Sequence, residues 1–386
     1  MIKDEKQYNA KQRLLDVLDG KSVSKIPFYT LIPYSLKNRQ FIPGAFHGFT
    51  DIDDWRTRDP LYVKLVRKME KEGDNFFVFR PASMDAQNIF ISPEHVVLAD
   101  EVKKDNKVIR KYSVTTGTTT LTKTEKFLEN SGHSWITEHF CKDIEDAKSL
   151  LNLPWKQADD EEAAFKSLTE SLGNRGVFWV TIPSPVMSVC RLFDPQDFLL
   201  FSALHRKDID QLMQVAFERT RQVLISLLEK GYGPVIRFGG AEHATPPMMS
   251  PADFDWLVFQ YDKPLMDLCK KYHKKIAVHC HGNIRHAVQR FMEMGVDQLD
   301  PVETTPYGDI SMEEVRKMTK GQIILTGNIQ CNELANENTE YIKKRVYDLI
   351  KQAGPNRLII STTGTPLEKI SEKLYDNYMA IFECVK

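Results

Sequence analysis

Two histidines one residue apart carry the strongest chemical signal in the sequence. His279 and His281 flank Cys280 in the segment HCHG, at the end of an apolar run that predicts a β-strand. Because strand side chains alternate between two faces, both imidazoles lie on one face and the thiol on the other. Two imidazoles on one face suit a metal with nitrogen ligands, zinc above all. In isolation such a pair is more often a polar strand end, with one ring hydrogen-bonded and one exposed.

Polar residues also follow the neighbouring predicted strands, always on the carboxyl side. The segments after five consecutive strands contain Glu242 and His243, His279 and His281, Glu303, Asn328 and Cys331, and Ser361 through Gly364. The carboxyl ends of barrel strands form the rim at which active sites are built. Two histidines and a glutamate at one rim therefore favour a functional site over ordinary polar loops.

Short apolar runs alternate with helix-length segments over the second half of the chain. Helices between strands indicate right-handed βαβ units and a parallel sheet, and eight strands favour a closed (β/α)8 TIM barrel. The predicted strands lie at 26–31, 76–79, 177–182, 234–238, 276–280, 297–300, 322–326 and 357–361. The predicted helices lie near 209–230, 251–272, 283–294, 311–319, 339–353 and 366–384, with capping signals at Ser250–Asp253 and Thr365–Glu368.

Residues 92–140 have a different character. The segment is β-rich and has predicted turns at Lys103–Asn106 and Gly117, which predicts an antiparallel β-meander inserted after the second barrel strand. It is either an extension of the scaffold or a cap that helps to form the substrate pocket beside the barrel mouth. We expect residues 1–386 to form a single barrel domain that includes this insertion.

Composition excludes several classes of protein. The 386 residues are 42% hydrophobic and 27% charged, as in a globular protein with a sizeable core. Lys and Arg (52) nearly balance Asp and Glu (53), so no overall charge favours nucleic acid or an anionic membrane. The six cysteines form no CxxC pair and no signal peptide or membrane-length apolar stretch is present, which predicts a cytoplasmic protein with reduced thiols.

Several of these segments together resemble the uroporphyrinogen decarboxylase superfamily, which includes zinc-dependent corrinoid methyltransferases and, more distantly, cobalamin-independent methionine synthase. The similar segments are Arg13–Gly20 through Ile26–Pro27, Met249–Pro251, the HCHGN segment at 279–283, Gly327–Gln330 and Thr365–Pro366. The resemblance covers most of the chain and implies a (β/α)8 barrel that begins with an N-terminal helical extension. It implies a homodimer as well.

The departures from the family favour the methyltransferase branch. Authentic uroporphyrinogen decarboxylases carry an arginine-rich segment after the first strand, whereas residues 28–34 here contain no arginine. The zinc methyltransferases have a His-x-Cys pair, which becomes His279-x-His281, and a late Cys, which is replaced within Ser361–Thr363. The family's acidic ligand is matched by Glu303. Two imidazoles and a carboxylate make a harder, more Lewis-acidic zinc site than two thiolates.

Three functions follow as hypotheses. The first is a zinc-dependent methyltransferase acting on a methyl-corrinoid protein or a small methylated compound, with His279, His281 and Glu303 as metal ligands. Glu242, His243, Cys331 or water would complete the metal shell, and Glu242, His243 and Asn328 are the catalytic candidates. The chain contains no corrinoid-binding motif, so cobalamin would come on a separate corrinoid protein. The second is a metal-free decarboxylase that uses Glu242, His279 and Glu303 as acid–base groups, and the third is a non-catalytic module that binds a small molecule or a corrinoid protein.

Overall fold

A parallel eight-stranded sheet curls into a nearly closed barrel surrounded by helices, in the order β1-β14-β13-β12-β11-β10-β9-β4. The computed structural model describes residues 9–30, 36–37, 40–41, 59–105, 107–128, 134–364, 366 and 369–385. A separate four-stranded antiparallel sheet and a short hairpin complete the described strands. The predicted (β/α)8 barrel with an N-terminal helix and an inserted meander is confirmed.

The strands are β1 (Phe28–Tyr29), β2 (Leu36–Lys37), β3 (Gln40–Phe41), β4 (Asn75–Phe79), β5 (Val97–Lys104), β6 (Lys107–Thr116), β7 (Thr119–Leu128), β8 (Ser134–Glu138), β9 (Gly176–Pro183), β10 (Val235–Gly239), β11 (Lys275–His279), β12 (Gln298–Asp300), β13 (Ile324–Ile329) and β14 (Leu358–Thr362). The α-helices are α1 (Ala10–Leu18), α2 (Pro60–Glu72), α3 (Ile144–Leu150), α4 (Glu162–Leu172), α5 (Pro185–Cys190), α6 (Pro195–Leu204), α7 (Arg206–Glu229), α8 (Pro251–Phe254), α9 (Gln260–Lys271), α10 (Val288–Glu293), α11 (Met312–Met318), α12 (Cys331–Asn336), α13 (Thr339–Ala353) and α14 (Glu372–Cys384).

The barrel interior is apolar at its amino end and polar at its carboxyl end. Alternate strand residues form a packed cluster inside the barrel, in which Phe76 and Trp179 stack with ring centroids 4.3 Å apart. Leu14 and Val17 of α1 pack against the same cluster and cover the amino end. Because side chains repeat every two residues along a strand, polar interior positions such as Arg237 and His279 lie nearer the carboxyl end.

The first and last strands of the sheet order, β1 and β4, meet through a buried aspartate. The backbone N–H of Asp74 donates to the Phe28 carbonyl at 2.8 Å, and the Asp74 carboxylate accepts from the Phe28 N–H at 3.3 Å. The same carboxylate forms an ion pair of 2.6 Å with Arg13 of α1 and lies 3.5 Å from Lys25. Asp74 therefore joins the N-terminal helix to the point where the barrel closes.

Two predicted helix starts are wrong. The helix predicted at 283–294 begins at Val288, because turns follow Gly282, whose φ is +80°. The helix predicted at 366–384 begins at Glu372, where the Ser371 side chain accepts the Leu374 N–H. The capping signal at Thr365–Glu368 falls largely outside the described residues, and the Ser250–Asp253 capping box is confirmed.

The inserted meander consists of β5–β8 in sequential antiparallel pairing. It contacts the loop that leaves the carboxyl end of β4, where the Lys123 ammonium donates to the Gln87 side chain at 2.5 Å. The single-domain assignment, with this insertion near the mouth, stays a prediction. No described helix is both long and apolar enough to cross a lipid bilayer.

We predict that Asp74→Ala destabilises the fold by about 3–5 kcal/mol, because it leaves Arg13 and Lys25 beside a buried site that has lost its anion. Urea denaturation followed by circular dichroism measures this loss. The matched control is Glu313→Ala, which removes an exposed i,i+4 partner of Lys317 and should cost only about 0–1 kcal/mol. Equal midpoints for the two variants would show that Asp74 does not hold the barrel together.

Candidate active site

A buried carboxylate joins three adjacent strands at the carboxyl end of the barrel. Parallel pairing sets Gly239, His279 and Asp300 side by side on β10, β11 and β12. The Asp300 carboxylate receives a hydrogen bond from Arg237 at 3.1 Å and faces His279 Nδ1 at 3.0 Å. Asp300 is 2% exposed, so this cluster of two cationic-type side chains and one anion is withdrawn from solvent.

The charges of this cluster favour an ionised aspartate and a neutral imidazole. Burial opposes ionisation of Asp300, but the hydrogen bond from His279 and the nearby Arg237 outweigh it and lower its pKa to about 2. Burial, reinforced by the positive charge of Arg237, lowers the pKa of His279. Arg237 and Asp300 thus form the ion pair, and His279 is a neutral ring that its hydrogen bond to Asp300 orients.

The second histidine has its own carboxylate. His281 Nδ1 lies 3.1 Å from Glu303, whose oxygens also accept the Gly282 N–H at 2.9 Å and the Gln330 side-chain amide at 2.8 Å. Thr363 in turn donates to Gln330 at 2.6 Å. These partners fix Glu303 in one orientation, and Glu303 in turn contacts the imidazole of His281 only at Nδ1.

The two imidazoles are neighbours whose pKa values move in opposite directions. Their ring centroids are 4.6 Å apart and the rings are nearly perpendicular. Burial opposes the charged form of His281, but the hydrogen bond and negative charge of Glu303 outweigh it and raise its pKa, whereas that of His279 is lowered. Both rings use Nδ1 for their carboxylate, and no residue of the described ranges forms a hydrogen bond with either Nε2.

A cavity of about 380 Å³, partly open to solvent, lies beside these residues. Its polar lining consists of Arg80, Thr181, Arg237, Glu242 and His279. Glu242 is carried by a 3₁₀ turn after β10, and its Oε2 atom is buried without a hydrogen-bond partner among the described residues.

The turn that carries Glu242 requires a glycine. Gly240 has a φ of +105°, and a Cβ at this position would lie 2.3 Å from Met187. A side chain there would force the turn away from α5 and shift Glu242 with it. His243 follows on the same turn and is half-buried, and burial lowers its pKa. It is not among the residues that line the cavity.

Two further candidates are engaged elsewhere. The Asn328 side chain donates to the Val302 carbonyl and accepts from Arg345 at 2.7 Å, and the residue is 1% exposed. Its amide therefore joins β13 to the loop after β12, and its assignment as a catalytic residue stays a prediction. Burial raises the pKa of the Cys331 thiol to about 11, which keeps this candidate ligand protonated at neutral pH.

The three predicted metal ligands lie close to one another, but they contact each other two at a time and do not converge on one point. His281 contacts Glu303 and lies against His279, as the strand register predicts. Glu303 already accepts three hydrogen bonds, so it would have to release His281 to bind a metal through the same oxygen. Among the described residues, no group of three His, Cys, Asp or Glu side chains has a metal-binding arrangement.

Sequence reasoning missed four residues of the site: Arg80, Arg237, Asp300 and Gln330. A signal was present for the two arginines, because each is a charged residue in or directly after an otherwise apolar strand. Arg237 interrupts the run VIRF, and Arg80 follows FFVF. A charged side chain inside a barrel is costly unless it is paired with an opposite charge or binds a ligand.

We predict that Glu303→Gln lowers the pKa of His281 towards or below its ordinary value of 6.5, because it removes the charge that favours the imidazolium. The raised pKa stabilises the fold fully below pH 6.5, and this contribution disappears as the pH rises through the folded-state pKa. The stability lost in the variant should therefore be larger at mildly acidic pH than above that pKa. Two-dimensional NMR titration of the histidines measures the shift, and Glu314→Gln, an exposed capping glutamate, is the control. An unchanged titration of His281 would contradict this account.

Comparison with known proteins supports the architecture. Residues 124–372 match the family model described as Uroporphyrinogen decarboxylase (URO-D). A methyltransferase from Methanosarcina mazei has the same fold, with a TM-score of 0.63, 16% identity, and 98% of this chain and 99% of the other covered. A B12-independent methionine synthase from Shewanella sp. W3-18-1, in complex with selenomethionine, aligns with a TM-score of 0.48, 13% identity and coverage of 94% and 98%. No curated protein sequence gives a significant match. The family model matches well over half of the sequence, and the chain therefore belongs to the uroporphyrinogen decarboxylase family.

Proposed function

We propose that this protein is a methyltransferase that moves a methyl group between a small methylated compound and a separate corrinoid protein. The description of the Methanosarcina mazei protein as a methyltransferase directs the proposal towards methyl transfer. The observation that carries it in this chain is the pair of adjacent imidazoles with opposite pKa shifts. Titratable neighbours whose pKa values are pushed apart are the arrangement that divides acid and base roles at one site.

Removal of a methyl group from an ether or phenol oxygen creates a poor leaving group unless that oxygen receives a proton. His281, whose Glu303 partner favours the charged ring, is the proton donor in our proposal, acting through Nε2. The bond from the methyl carbon to oxygen breaks, the methyl group passes to the acceptor nucleophile, and the oxygen takes the proton from His281. The corrinoid protein would supply the nucleophile.

The donors at this site fit the predicted zinc ion only in part. Histidines that bind zinc hold their other ring nitrogen on a carboxylate, and His279 and His281 have this arrangement with Asp300 and Glu303. A catalytic zinc site takes three protein ligands, however, and the described side chains present two free Nε2 atoms and no third converging donor. We therefore derive no step from a metal, and zinc binding stays a prediction.

Elemental analysis of purified protein tests that prediction. If zinc is the resident metal, protein grown with zinc and never exposed to a chelator should contain about one zinc per chain, and His281→Ala should lose it while staying folded; His281 would then be a metal ligand and not the proton donor, because one Nε2 atom cannot serve both roles. Affinity should fall below about pH 6.5, because imidazole binds a metal only when neutral. Metal-free wild-type protein would remove zinc from the proposal and leave the acid role of His281.

The methyl-transfer proposal is tested with free cobalamin as the corrinoid. Absorption spectroscopy follows the methylation of reduced cobalamin by methoxylated compounds, and its reversal with methylcobalamin. We expect His281→Gln to lower kcat by about 10²–10⁴-fold, the usual contribution of a general acid. Wild-type kcat should decline as the pH rises through the raised pKa of His281. His205→Gln, an exposed histidine at the start of α7, is the control and should keep wild-type rates. Full activity without any cobalamin would remove the corrinoid partner from the proposal.

Decarboxylation is the second candidate, favoured by one observation. Glu242 and His279 line the same cavity. Glu242 Oε2 is buried without a partner among the described residues, which suits a general base. Glu303, the third predicted acid–base residue, contacts His281 instead. Release of carbon dioxide without an acceptor would favour this function, and binding without turnover would favour the binding module. A homodimer and a cytoplasmic location are part of the proposal, and size-exclusion chromatography tests the first.

A further inference from the structure

The barrel interior contains several buried polar atoms that have no hydrogen-bond partner among the described residues. They are Tyr29 OH, Trp179 Nε1, Thr181 Oγ1, Arg237 Nε, Gln298 Oε1 and Ser361 Oγ. Native structures leave few such atoms unsatisfied, because each costs about 1–3 kcal/mol of desolvation. Two of these residues, Thr181 and Arg237, line the cavity described above, so a polar ligand there could satisfy their atoms.

Arg80 is a second arginine that lines this cavity. It follows β4 in the inward-facing series Phe76, Val78 and Arg80, and its side chain lines the cavity with Thr181 and Arg237. It is half-buried, and burial lowers its pKa. No hydrogen bond or ion pair joins its guanidinium to another residue in the described part of the chain. The negative charge of Asp85 favours that of Arg80, but no ion pair joins the two described residues.

The other charged residues at the cavity do not neutralise Arg80: among the described residues, Glu242 lines the same cavity but forms no ion pair with it. Arg237 forms an ion pair of 3.1 Å with Asp300, so the negative charge of that aspartate is balanced by Arg237 and not by Arg80. The positive charges of Arg237 and Arg191 both act against that of Arg80. A partly desolvated cation without a partner is costly in a folded protein, and an anionic ligand would remove that cost.

We propose that this cavity binds the carboxylate of a small organic acid, with Arg80 as its ion-pair partner and Thr181 and Arg237 as further hydrogen-bond donors. The inference rests on the proposed function, since it names the class of methylated compound that the site would take: a small acid with an ether or hydroxyl oxygen. Glu242, in the same cavity, has a buried oxygen free to accept a hydrogen bond from that hydroxyl once the methyl group has left.

The lining favours a carboxylate over a phosphate. The planar guanidinium of arginine matches a planar carboxylate through two parallel hydrogen bonds. A phosphate near neutral pH carries close to two negative charges, which the carboxylate of Glu242 in the same cavity would repel more strongly.

Calorimetric titration without any corrinoid or acceptor tests the inference separately from methyl transfer. The probes are inorganic phosphate and the two acids glycolate and methoxyacetate, and each acid is compared with its neutral amide, glycolamide or methoxyacetamide. We expect wild-type protein to bind the acids at least tenfold more tightly than the amides. Arg80→Gln should abolish this preference, and Arg80→Lys should restore part of it, because lysine keeps the charge but loses the planar fork. The matched control is Arg221→Gln, an exposed arginine of α7.

Each result of this titration is decisive. Equal binding of acids and amides by wild-type protein, or an unchanged preference in Arg80→Gln with a wild-type circular dichroism spectrum, overturns the carboxylate site. Preferential binding of inorganic phosphate overturns it in favour of a phosphate site. Acid binding without methyl transfer keeps this site and rejects the proposed methyltransferase. Methyl transfer without a preference for acids rejects this site and keeps the proposed methyltransferase.

Discussion

The buried ion pair between Asp300 and Arg237 is the interaction on which the rest of the site depends. Asp300 ends β12 and is reached from β10 by Arg237 and from β11 by His279, so one carboxylate fixes side chains from three strands. A buried charge is costly unless an opposite charge is paired with it. If Asp300 moved, Arg237 would lose its counter-ion and His279 the group that sets its orientation.

The surroundings of the two histidines give chemically similar rings different properties. His279 has an aspartate whose negative charge is balanced by Arg237, so burial prevails and the neutral ring is favoured. His281 has Glu303, to which Gly282 and Gln330 donate neutral hydrogen bonds, so the negative charge acts fully on the ring. The difference follows from the deeper burial of His279 and from the arginine beside its carboxylate. This is the physical basis for assigning the acid role to His281.

The barrel separates the requirements of stability from those of chemistry. Its amino end is filled by aromatic and aliphatic side chains, covered by α1 and joined to it through Asp74. Its carboxyl end contains arginine, histidine, aspartate and glutamate side chains, several with unused hydrogen-bonding atoms. A rigid apolar base allows the rim to keep polar atoms unsatisfied, because the cost is borne by packing elsewhere. The polar atoms are then available to a ligand.

The sequence by itself determined the barrel and which polar residues lie at its carboxyl rim. The alternation of apolar strands with helices predicts the eight-stranded sheet, and the period of two predicts that His279 and His281 share a face, because these patterns depend on local geometry alone. The start of α14 could not be predicted in this way, because Ser371 and Thr365 are both suitable helix caps by local sequence and the structure uses Ser371 for α14. The hydrogen bond from Gln330 to Glu303 could not be predicted either, because the two residues are 27 positions apart in the chain. Only the tertiary structure decided that Asp300 and Glu303 each hold one imidazole, and that Arg80 and Arg237 meet at one cavity. Those contacts depend on the register between strands, which brings distant residues side by side and leaves no local trace in the sequence.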